Sequence, residues 1–175
     1  PLGPERQGQV SWQQWQQAVL WRGDTLVLLH PAAARSRHSL ALWWQLLLAS
    51  AGDQRPAAAV LVARGSKGFA VQTRLEPPAP AEARAELQRL AGLRALWRGR
   101  CWPLPPETAW ALLGAGESRA ISVWEGGPQQ RGERDEPEQS LCFGRALSGR
   151  ELLLAAGDPQ TLAAALLGPL LEHSR

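Results

Sequence analysis

Lysine is almost missing from this chain: Lys67 is the only one, and every other basic side chain among 19 Lys and Arg is arginine. Methionine and tyrosine are missing altogether, and phenylalanine occurs twice. No apolar run approaches the roughly 20 residues that a membrane helix requires, so no membrane partner is expected. Three histidines (His30, His38 and His173) and two cysteines lie scattered. No paired ligand spacing for zinc exists among them. Cys101 and Cys142 are too few for a disulfide framework and read as reduced thiols. The opening Pro1-Leu2-Gly3-Pro4 carries no charged-then-apolar leader pattern. The chain therefore reads as a fragment of something longer, without a secretion signal, and cytoplasmic.

What is present bounds the answer further. A length of 175 residues fits one domain with a real core, so residues 1–175 are expected as a single domain. The net charge of +3 is small. Arginines are spread rather than massed, at Arg35, Arg37, Arg84, Arg89, Arg94, Arg98 and Arg100. Such a distribution permits contact with nucleic acid, although a solvated surface is the simpler reading. Nine tryptophans are many for one small domain. Each is a large buried anchor or an interface residue.

Apolar alternation marks strands and 3.6-residue spacing marks helices. Ala18–Arg22 and Thr25–Leu29 flank a Gly23-Asp24 turn and form a hairpin. The glutamine-rich stretch from Trp12 to Gln17 fits a loop or an irregular strand. A helix is expected from Ser36 to Ala51, capped by Ser36 and Gly52, with Leu40, Trp43, Trp44, Leu47 and Leu48 on its apolar face. A second hairpin pairs Ala58–Ala63 with Phe69–Arg74 across a turn at Arg64–Gly68. Pro77, Pro78 and Pro80 break the chain before a helix carrying Ala83, Leu87, Leu90 and Trp97 and ending at Gly99. Residues 102–106 are extended, Glu107–Leu113 form a short helix, and residues 117–125 fit helix or strand. Residues 125–140 read as an exposed loop. Two final helices cover Ser148–Ala156 and Asp158 onward, the second ended or kinked at Gly168-Pro169. The class is α+β, helix-rich toward the C-terminal half.

Motifs for chemistry are weak. Ser66 lies in Gly65-Ser66-Lys67-Gly68, which lacks the strand-to-helix setting of a nucleophile elbow and the ending of a phosphate loop. It reads as a hairpin turn. Gly132-Glu133-Arg134-Asp135-Glu136 clusters carboxylates that acid–base work or a hard cation could use, but a charged loop is normally solvated.

Three ordered stretches carry a resemblance. They are Leu40–Ala51, rich in Leu and Trp; Pro103-Leu104-Pro105-Pro106-Glu107-Thr108-Ala109-Trp110; and Arg131-Gly132-Glu133-Arg134-Asp135 followed by Cys142-Phe143-Gly144. Together they resemble the C-terminal end of the gamma subunit of bacterial exodeoxyribonuclease V, the RecC family. The resemblance implies a partial, degenerate PD-(D/E)XK nuclease fold without cutting activity. It implies a role in homologous recombination and double-strand-break repair, as a C-terminal fragment of a larger subunit. RecB and RecD would be its partners, with DNA inside the assembled helicase–nuclease.

Active members of that nuclease fold hold Mg²⁺ with one Asp on a strand and an Asp-x-Lys on the next. Laid on this chain, those positions fall at Ser11, His30 and Ala32, none of which is a proper ligand or base. The only carboxylate between Gly8 and Ala51 is Asp24. No catalytic residue, metal or cofactor is therefore expected. Arg35, Arg37, Arg94, Arg98 and Arg100 are candidate phosphate contacts, and Trp12, Trp15 and Trp102 candidate subunit anchors. Two other readings stay open: a nuclease with migrated residues Glu133, Asp135 and Lys67, and an interaction domain unrelated to DNA.

Overall fold

The computed structural model describes residues 4–52 and 54–175. Two compact units divide them: residues 4–96 with Leu170–Arg175, and Trp97–Pro169.

The first unit is a mixed five-stranded sheet. Its elements are β1 (Glu5–Trp12), β2 (Trp15–Arg22), β3 (Thr25–His30), α1 (Ser36–Ala51), β4 (Ala58–Gly65), β5 (Gly68–Leu75) and α2 (Pro80–Leu96). Spatial order follows sequence order, β1-β2-β3-β4-β5. All neighbours are antiparallel except β3 and β4, which α1 connects as a parallel crossover. Both expected hairpins are present. The Trp12–Gln17 stretch resolves as the facing ends of β1 and β2, joined at Gln13-Gln14 with Gln13 in the left-handed region at φ 52°. Asp24 precedes β3, at the far end of the sheet from His30. Six residues at about 3.3 Å each separate the two by roughly 20 Å.

Helix α1 has the expected bounds but a different cap and a wider buried surface. Arg35, extended at φ −133°, is the cap residue: its carbonyl accepts the His38 amide, and its own amide donates to His38 Nδ1 at 3.0 Å. Ser36 is one residue too late for that role and is buried instead. Leu42 and Leu46 join Trp43, Leu47 and Leu48 in full burial, whereas Leu40 and Trp44 are half-buried. The reason is that α1 packs on the sheet and on α2 at once. Helix α2 ends at Leu96 rather than Gly99.

The second unit is helical: α3 (Pro106–Ala115), α4 (Glu117–Glu125), α5 (Pro137–Phe143) and α6 (Gly149–Ala155), with most of α7 (Pro159–Glu172). Residues 117–125 are thus helix. Residues 125–140 are not a plain exposed loop. They hold a two-residue ladder, β6 (Gly126–Gly127) with β7 (Gln130–Arg131), then a 3-10 turn at Glu133–Asp135 and the start of α5. Glu133 is buried there. Cys101 and Cys142 form a disulfide with Cα atoms 5.9 Å apart, against the expectation of free thiols; the fold brings α5 back beside the Cys101 segment. Gly168-Pro169 does not end α7, which runs on to Glu172.

Candidate functional site

The nuclease-like positions lie on or just after two strands that are not neighbours. Ser11 lies on β1 opposite Gln16, and His30 ends β3 opposite Ala63 of β4. Strand β2 runs between β1 and β3, so the Ser11 and His30 backbones stand roughly two strand spacings, about 10 Å, apart. Ala32 follows His30 and is exposed; its carbonyl accepts the Arg64 amide. The His30 ring stacks on His38 with centroids 3.7 Å apart. Among the described residues, no group of three or more His, Cys, Asp or Glu is placed to hold a metal ion.

The migrated set is divided between the two units. Lys67 is an exposed turn residue of the first unit, while Glu133 and Asp135 belong to the second. Glu133 is already engaged as a cap on α3. Its Oε2 accepts from the Thr108 amide and hydroxyl, each at 2.7 Å, and its Oε1 from the Glu107 amide at 3.0 Å. Burial pushes its carboxyl above the usual range, and those hydrogen bonds from Thr108 and Glu107 pull it back. Asp135 Oδ2 accepts the Gly132 amide. These are structural tasks at a helix start, where orphan amides need acceptors.

Among the arginines, Arg84 donates to the Ala51 carbonyl at 3.0 Å, and Arg89 makes a two-pronged pair with Glu86. The first ties α2 to the end of α1, and the second lies within α2. Arg35 and Arg37 are exposed at the start of α1, and Arg94 is exposed in the last turn of α2. Arg98 and Arg100 are exposed on either side of Gly99 in the second unit.

The expected anchors Trp12, Trp15 and Trp102 are half-buried and each meets another tryptophan ring. Trp12 and Trp15 clasp the β1–β2 turn with ring centroids 5.8 Å apart, and Trp15 meets Trp44 of α1 edge-on at 5.2 Å. Trp102 meets Trp97 edge-on at 5.6 Å.

The conspicuous apolar surface lies elsewhere, on the side of the sheet turned away from α1. Thr73 Oγ1 bonds Ser39 Oγ of α1 at 3.1 Å, which fixes the helix-covered face. The pairing shifts between Leu61 and Val62, a bulge that leaves Gln72 unpaired and turns Val71 to the opposite face from Thr73. The outer row is then Leu29, Val62 and Val71 across three strands, with Phe69 and Arg64 one step along. Leu29, Phe69 and Val71 are 59%, 66% and 57% exposed. Sequence reasoning missed this row, because alternation alone cannot tell a covered face from an open one.

The family model of the RecC C-terminal domain matches residues 5–117. The chain belongs to the RecC C-terminal domain family. The match covers β1 through α2 and reaches α3, so it holds two of the three resembling stretches; Arg131–Gly144 lies beyond it. No curated protein matches the chain significantly. RecC is a subunit of the RecBCD exonuclease complex, and this RecC-family domain is α+β on a mixed five-stranded sheet. None of its described helices is long and apolar enough to cross a membrane.

Proposed function

We propose that this chain is a non-catalytic docking and strand-handling module of the RecBCD helicase–nuclease, built on a nuclease-like framework that has lost its chemistry. The observation that carries the reading is the uncovered end of the outer sheet face, where Leu29, Phe69 and Val71 stand exposed around Val62 while Val27 and Val60 farther along the same face are buried. Large exposed apolar side chains gathered on one face mark an interaction surface. RecB and RecD are the partners the family suggests. A three-strand meander followed by a helical crossover to a parallel strand is compatible with a degenerate PD-(D/E)XK core, and the residues at its former ligand positions, Ser11, His30 and Ala32, could not bind Mg²⁺ as carboxylates do. The exposed Arg35, Arg37, Arg94, Arg98 and Arg100 would add phosphate contacts without a base code.

The test is capture of purified RecB and RecD by the 175-residue chain, beside a Mg²⁺-dependent DNA cleavage assay. Capture without cleavage is expected. Cleavage that disappears in Glu133→Ala or Asp135→Ala while the fold survives would overturn the reading, as would failure to capture either subunit.

A further inference from the structure

Among the described residues, the outer edge of the sheet's last strand, β5, is paired at one end. There the C-terminal segment lies antiparallel to it. Ser174 bridges Leu75, the Arg175 amide donates to the Arg74 carbonyl at 3.0 Å, and the Glu76 amide donates to the His173 carbonyl at 2.9 Å. That short arm is held by His173, which stacks on Trp43 at 5.1 Å and reaches Glu82 at 3.2 Å, and by an Arg175–Glu76 ion pair at 2.6 Å. The remaining edge, from Gly68 to Thr73, has no neighbouring strand among the described residues. An unpaired edge is a row of amides and carbonyls ready to accept another extended segment. Here the edge has already accepted one at its end.

The side chains define what would extend that pairing. Phe69 and Val71 project from this strand onto the open face, beside Val62 and Leu29. From Arg55 to Leu75 the sequence holds Arg55, Arg64, Lys67 and Arg74 and not one carboxylate. All four are exposed. Edge strands often carry a lysine to repel partners of the same kind. Arg64, Lys67 and Arg74 flank the exposed apolar side chains, while Glu76 just beyond them is paired with Arg175, so this edge goes further and selects by charge.

Resting on the docking role proposed above, we propose that β5 receives a protein partner by strand addition, and that the partner segment is extended, with apolar residues facing Phe69 and Val71 and acidic residues flanking them on that same face. Its backbone pairs with the Gly68–Thr73 edge. Its apolar side chains cover Phe69 and Val71, and carboxylates before and after them on that same face of the added strand reach toward Arg64, Lys67 and Arg74. Single-stranded DNA would satisfy the cations and Phe69 but would leave the amide edge unpaired, which is why a peptide strand is favoured.

The experiment uses the full chain and a fluorescein-labelled, end-capped peptide Glu-Thr-Val-Thr-Val-Thr-Glu, whose glutamates and valines share one face of the extended strand. Binding is read by anisotropy, and backbone protection by hydrogen exchange. Expected are saturable binding weakened by salt, protection confined to residues 68–73, and a loss of about tenfold or more in affinity with Phe69→Ser plus Val71→Thr. Arg64→Ser with Lys67→Ser should weaken binding and flatten its salt dependence. No binding, binding without protection of 68–73, or displacement of the peptide by an oligothymidine would each overturn the proposal. The docking role is separated from it by repeating subunit capture with Phe69→Ser plus Val71→Thr. Undiminished capture sinks strand addition and leaves docking standing, whereas loss of capture by the unmodified chain sinks docking itself.

Discussion

Glu133 and Thr108 are joined twice: one carboxylate oxygen accepts both the amide and the hydroxyl of Thr108 at 2.7 Å, across 25 positions of sequence. The start of α3 is therefore completed by a distant residue, not by a local cap. Pro105 precedes the helix and offers no side-chain acceptor. Glu133→Ala would leave buried amides unpaired, at a cost of about 1–3 kcal/mol. Thermal unfolding followed by circular dichroism should show a clear drop in Tm, and a smaller one for Glu133→Gln, which keeps one acceptor oxygen. An unchanged Tm in the alanine variant would refute the capping role.

The same residue sets a pH signature. Burial raises the folded carboxyl of Glu133 above its unfolded value. The folded state then binds that proton more tightly, so this contribution is fullest below the unfolded value and is lost as pH rises through the folded one. Glu151, held low by the Ser148 hydroxyl and amide, and Asp158, held low mainly by the Thr161 amide, act oppositely. Their contributions are present above the unfolded value and lost as pH falls through the folded one. The stability difference between the unmodified chain and Glu133→Gln, from urea titrations, should thus favour the unmodified chain more at mildly acidic pH than at neutral pH. A difference that stays constant across that range would contradict the buried-carboxyl account.

The Cys101–Cys142 bond closes a sequence separation of 41 residues. Loop closure of that length stabilises by about 4 kcal/mol in the chain-entropy treatment. Under oxidising conditions, Cys101→Ser should lower the midpoint of unfolding, and dithiothreitol should lower it for the unmodified chain to about the same value. If dithiothreitol leaves the unmodified chain unaffected, the bond does not support the fold.

Gly132 has no room for a side chain. A Cβ there would collide with the Trp124 carbonyl and with the backbone of Glu125 and Gly126. Those obstacles are backbone atoms and cannot rotate away. Gly132→Ala should destabilise the second unit by about 1–3 kcal/mol or more, because the Glu133 turn must move to accommodate it. Gly127→Ala is the control, since nothing lies within 4 Å of its Cβ position. Equal urea midpoints for the two variants would show that the turn yields freely.

Much of the first unit could be read from pattern alone. The strands around Gly23-Asp24 and Arg64–Gly68 and the span Ser36–Ala51 are local signals, in which a turn or a run of helical spacing speaks for itself. What could not be read was set by fine geometry at one helix start and otherwise by residues distant in sequence. Ser36 looked like a cap because it is a serine, but the turn begins one residue earlier, where His38 folds back on Arg35. Glu133 looked solvated because its neighbours are charged, yet Thr108 gives it a buried place. Cys101 and Cys142 gave no hint of pairing without knowing that α5 returns to them. The open row of Leu29 and Val71 depends on a bulge at Gln72, which alternation counts as an ordinary strand position.

The short arm at Ser174 and Arg175 makes the first unit discontinuous in sequence: residues 97–169 intervene between its main part and the segment that pairs with β5. A contact of such long sequence separation is late to form, because loop closure must precede it. A chain emerging from the ribosome can assemble β1 through α2 well before that last edge contact becomes available. During that interval the whole outer edge of β5 is bare, so the order of synthesis itself gives an arriving strand its widest opportunity.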